Sequence, residues 1–90
     1  MRLLLDEHCI ETAARRERDR VTTALLASEE GSARFDELAE RLELLDDFIT
    51  TTDFGALRSS RPELDGRARV AVALERDSRG RVVCATLRSQ

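Results

Sequence analysis

The chain has no tryptophan, no tyrosine and no lysine, and it holds one proline and one histidine. Three phenylalanines are its whole aromatic stock. Aromatic rings usually supply much of the contact area of a small core, so Leu, Val and Ala must fill this one. A chain of 90 residues makes one domain, residues 1–90. At that size only roughly two thirds of the unfolded surface is buried on folding. A homodimer sharing one apolar face relieves the deficit and is the expected state.

Other absences remove whole function classes. Structural zinc needs about four ligands at recognisable spacing, whereas Cys9, Cys84 and His8 stand alone. The four glycines are scattered, so there is no glycine-rich phosphate loop. No Ser-His-Asp arrangement has supporting spacing, and His8, beside Asp6 and Glu7, reads as a surface residue near the terminus. No cofactor is expected. The apolar run in "MRLLLDEHC" is too short for a secretory h-region, and no segment approaches the ~20 apolar residues that span a bilayer. A cytoplasmic protein with reduced thiols is the expectation, without membrane contact.

What is present is charge, and it is unevenly spread. Residues 1–27 balance five arginines against five acids; residues 28–54 carry a net −7; residues 55–90 carry a net +4. The overall charge of −3 therefore hides an acidic middle and a basic C-terminal third, and the latter admits nucleic acid as a partner. Arginine binds phosphate in a bidentate way, but its use for every basic position extends through the acidic segments, as codon bias produces.

Periodicity gives an α+β fold: two amphipathic helices and an irregular segment followed by a C-terminal antiparallel β-hairpin. Ile10, Ala13, Ala14, Val21, Ala24 and Leu25 mark one face of a helix over residues 10–28, and Gly31 suits its end. Residues 2–7 read as strand or helix. Ser32 caps the second helix, whose stripe is Phe35, Leu38, Ala39, Leu42 and Leu45. Asp46 and Asp47 sit at the end unfavourable to negative charge and are expected to stop it. "FITTT" then reads as extended chain, and Thr52 or Asp53 caps a short turn through "FGALRSS". Pro62 and Gly66 bracket a tight connection. "RARVAVALER" and "RVVCATLRS" alternate around "DSRG", pairing Leu74 with Val83, Val72 with Ala85 and Val70 with Leu87 on the buried face. Cys84 then falls on the mild outer face with Arg69, Ala71, Ala73, Glu75, Val82, Thr86 and Arg88.

"RVTTALLASEEGSARFDELAERL" resembles the first two helices of winged helix-turn-helix DNA-binding domains, over about a quarter of the chain. The resemblance implies a DNA-binding regulator whose third element, Asp53 to Ser60, enters the major groove, with residues 67–88 as the wing. Arg58, Ser59, Ser60 and Arg61 would face the groove, and Arg76, Arg79 and Arg81 the wing tip. The sequence departs from that family in two places. The link from Leu42 to Asp53 is long where the family has a tight turn, and the third element is short and contains Gly55.

Two other readings stand beside it. "MRLLLDEH" and "ITTTDFGAL" look like strand ends of small PIN-like nucleases, including toxin components. That resemblance implies Asp6 and Asp53 as Mg²⁺ ligands, with Glu7 or Glu37 as a third. It lacks an evident second strand and the usual second aspartate near Asp53. Alternatively, the acidic middle and basic hairpin pair within or between subunits. The protein is then a non-enzymatic homodimeric interaction module, whose association weakens with salt.

Overall fold

The computed structural model describes residues 1–5, 9–64 and 70–87. Strand β1 (Arg2–Leu5) is followed by helices α1 (Ile10–Leu26), α2 (Ala33–Thr51) and α3 (Phe54–Ser60), a 3-10 turn (Pro62–Leu64), and strands β2 (Val70–Arg76) and β3 (Val82–Thr86). The strands form one antiparallel sheet in the order β1-β2-β3. The fold is the expected α+β class with a C-terminal hairpin, and the first leucines resolve as strand. Asp6, Glu7, His8, Gly66, Arg69 and Arg88, each singled out from the sequence, lie outside the described residues, as does the start of the expected wing at Arg67.

Both long helices follow their apolar stripes. In α1, Ile10, Ala14 and Val21 are buried, while Ala13, Ala24 and Leu25 are partly so. Gly31, at φ 86°, makes the turn into α2, and the Ser32 side chain accepts the Phe35 N–H at 3.1 Å. That cap satisfies one of the donors a helix start leaves unpaired.

Helix α2 corrects one expectation: it does not stop at Asp47 but takes in "FITT" and ends at Thr51. Phe48 lies three residues beyond Leu45, so it continues the stripe, and both are buried. Tertiary burial outweighs the extended preference of the β-branched residues. The two aspartates are also answered by cations: Asp46 lies 3.5 Å from Arg18 and Asp47 2.7 Å from Arg76.

The hairpin corrects a second expectation. The strands pair Leu74 with Cys84, Val72 with Thr86 and Arg76 with Val82, one residue away from the expected register. The turn is the cause. Gly80 donates its N–H to the Asp77 carbonyl at 3.0 Å, Asp77 donates to the Arg81 carbonyl at 2.8 Å, and Gly80 has φ 80°. This is a three-residue loop with glycine in the left-handed position, not a four-residue loop. Asp77 Oδ1 holds it by accepting the N–H groups of Arg79 and Arg81 at 2.8 and 3.0 Å. A one-residue slip turns every β3 side chain over. Val82 and Cys84 therefore pack against the core, and Val83 is 43% exposed. Cys84 is not on the outer face.

The core lies between the helices and one face of the sheet: Leu3, Val70, Val72 and Leu74 meet Ile10, Ala14, Val21, Leu38, Leu45, Phe48 and Phe54, and Leu64 joins them. Replacing Phe48 by alanine should lower the unfolding free energy by about 4 kcal/mol in urea denaturation. Val83→Ala, at an exposed position, should change it by no more than about 0.5 kcal/mol. Equal effects would mean that the packing is not centred on Phe48.

Candidate nucleic-acid interface

Because α2 extends to Thr51, only Thr52 and Asp53 separate it from α3. Phe54 fixes the entry of α3: it is buried and meets Phe48 edge to face, with ring centroids 5.5 Å apart. Asp53 caps the helix, its Oδ1 accepting the Ala56 N–H at 3.1 Å. That cap is the use the structure gives the carboxylate which the nuclease resemblance assigns to a metal. Glu37 is likewise engaged, 3.0 Å from Arg41. Among the described residues no group of three or more His, Cys, Asp or Glu side chains could hold a metal ion.

The residues expected to face DNA divide into two sets. Arg61 and Arg76 act within the fold. Arg61 ends α3 and donates from Nη1 to the Cys84 carbonyl in β3. Arg76 contacts Asp47 at 2.7 Å and Glu43 at 4.0 Å and donates to the Gly80 carbonyl at 3.0 Å, tying the hairpin to α2. Arg58 is intermediate, with Glu11 at 3.9 Å across to α1. Ser59 and Ser60 are exposed, the latter donating to the Leu57 carbonyl at 3.1 Å. Arg79 and Arg81 are exposed at the hairpin tip, and neither side chain makes an ion pair among the described residues.

The hairpin tip and the α2–α3 turn share a cleft. Asp47, Thr51, Thr52, Arg76, Gly80, Arg81 and Val82 line a volume of about 590 Å³. Arg81 thus stands beside the turn, while Arg61 fastens the far end of α3 to β3. Arg61 joins the end of α3 to β3, and Arg76 joins the hairpin to α2.

Cys9 is a chemically distinctive residue that its sequence spacing did not flag. It precedes the first turn of α1, with Sγ 3.3 Å from Thr12 Oγ1. That side-chain hydrogen bond is the main reason its thiol sits below the ordinary value. Partial burial opposes the shift, while the N–H groups of Thr12 and Glu11 and the charge of Arg58 add to it. The available signal was its place just ahead of Ile10, where backbone N–H groups stabilise a thiolate. In a Cys84→Ser background, the iodoacetamide rate should reach its half-maximum at a pH below that of an unstructured cysteine peptide. Thr12→Ala should move that midpoint upward. Identical midpoints for protein and peptide would remove the hydrogen bond's influence.

Comparison with known proteins covers nearly all of this architecture. An uncharacterized protein of Archaeoglobus fulgidus is 39% identical over 74 residues, 82% of this chain and 84% of that protein. No solved structure matches. A protein-family model matches residues 1–84, from the start of β1 into β3. The chain belongs to the family whose model its residues 1–84 match, with the archaeal protein as a relative.

Proposed function

We propose that this protein is a small DNA-binding regulator of winged-helix type, docking through the tip of the β2–β3 hairpin and the exposed side of α3. The observation that carries the reading is the pair of exposed arginines, Arg79 and Arg81, without ion pairs among the described residues. They stand on a hairpin braced beside a two-residue helix–turn–helix connection. The tight α2–α3 turn supports the resemblance at the point where the sequence had spoken against it. The shortness of α3 and Gly55 within it limit base readout, so phosphate contacts supply most of the affinity.

In this mechanism Arg79 and Arg81 neutralise phosphates, with Arg58 and the hydroxyls of Ser59 and Ser60 completing the surface. Arg61 and Arg76 hold the two parts in register. The α2 carboxylates that reach the hairpin, Asp47 and Glu43, are screened by Arg76. No cofactor takes part.

Fluorescence anisotropy with labelled duplex DNA over a salt series tests the assignment. Each phosphate neutralised contributes roughly −0.9 to the slope of log K against log salt. The double variant Arg79→Ala, Arg81→Ala should therefore flatten the slope by about 2 while leaving thermal stability unchanged. Arg76→Ala should act chiefly on stability, by no more than about 1 kcal/mol since the pair is partly exposed. An unaltered slope in the double variant, or no binding at low salt, would overturn the proposal.

A further inference from the structure

The face of the sheet turned away from the helices is apolar and small. Ala73 of β2 stands beside Ala85 of β3, Glu75 beside Val83, and Ala71 beside Leu87. Ala73, between Arg2 and Ala85 in the register, is the middle of this second face; it lies outside the core cluster and is 8% exposed within the single chain. Among the described residues both long helices lie against the opposite side. Among the described residues two charges mark the outer face. Arg2 of β1 is opposite Ala73, and Glu75 is two residues along β2. Both are exposed, and neither makes an ion pair with the other or with any described residue.

We infer that this face is where a second copy of the chain docks, in a two-fold dimer whose sheets cross near a right angle. From Ala73, Arg2 lies one strand away, about 4.8 Å across the sheet, and Glu75 lies two residues away, about 6.6 Å along it. The two directions are perpendicular and the distances similar. A two-fold axis through Ala73, in the plane between the sheets and diagonal to the strands, therefore brings each Arg2 over the partner's Glu75. Axes parallel or perpendicular to the strands instead oppose Glu75 to Glu75, or Arg2 to Arg2. The diagonal axis also sets Ala85 over the partner's Ala71 and Leu87 over the partner's Leu87. The small side chains let the sheets approach closely, and orthogonal crossing is a recurrent way for sheets to pack. A two-fold interface needs this self-complementarity.

The face measures roughly 15 by 20 Å from strand spacing and rise, below a standard interface, so a weak dimer is expected and the test runs to high concentration. The inference is independent of DNA binding and is tested without nucleic acid. Sedimentation velocity of the full chain from roughly 5 to 500 µM should show a monomer–dimer equilibrium. Arg2→Glu and Glu75→Arg, each folded by circular dichroism, should separately weaken it by at least about tenfold. An equimolar mixture of these two variants should recover wild-type association, because each mixed dimer has two opposite-charge contacts. A pairing within one chain gives no such recovery. Ala85→Arg, at an exposed position, should also yield monomer. A monomeric wild type across the range, a mixture that fails to associate, or an undiminished dimer of Ala85→Arg would each overturn the inference.

Discussion

The middle strand is the constraint on which the rest depends. Val70, Val72 and Leu74 alternate toward the helices, and Val72 and Leu74 are fully buried. On one side β2 holds β1, nearly seventy residues earlier, with Leu3 opposite Val72; on the other it holds β3. The Met1 amine and carbonyl extend this ladder, bonding to the Leu74 carbonyl and N–H at 2.9 and 2.7 Å. With so few aromatic rings, the helices need a continuous aliphatic floor, and this pairing supplies it. Closing a loop of that length costs slightly more entropy than closing one half as long. The sheet's burial against two helices offsets it.

Arginine has two roles in this chain, and the fold separates them. One set forms the joints: Arg18 between α1 and α2, Arg58 between α3 and α1, Arg61 between α3 and β3, Arg76 between β2 and α2. Each contact bridges two separate elements of the fold. The acidic middle and the basic end therefore meet in part inside one molecule, at Asp47 and Arg76. Exposed pairs of this kind contribute little energy. Their value lies in orientation, since the planar guanidinium restricts the angle of approach.

The parts of the fold legible in the sequence were those with a long period. Ile10 to Leu25 and Phe35 to Leu45 gave two helices because each stripe repeats over several turns. The inward face of β2 was legible because its neighbours alternate without interruption. What escaped was decided elsewhere. The extension of α2 depends on Phe48 meeting Phe54 and on arginines distant in sequence. The β3 register depends on whether Asp77 closes a loop of three residues or four, a choice of hydrogen bonds within one turn. Leu64 gave no periodic signal, yet it is fully buried. For the candidate interface, charge counting located the arginine-rich segment but could not distinguish a guanidinium bonded to a carboxylate from one left in solvent.

The contact between Arg61 and the Cys84 carbonyl has a consequence for how this sheet can grow. Cys84 falls between hydrogen-bonded pairs of the β2–β3 ladder, so its carbonyl points outward, along the edge where a foreign strand would add. A charged side chain anchored there, with a four-residue strand at the opposite edge, disfavours open-ended polymerisation. Lateral strand addition can repeat without limit; a face that meets its own copy is used up at two. Occupying that carbonyl works against lateral addition there and, under the proposed face-to-face pairing, leaves a closed pair and not a fibre as the route of self-contact.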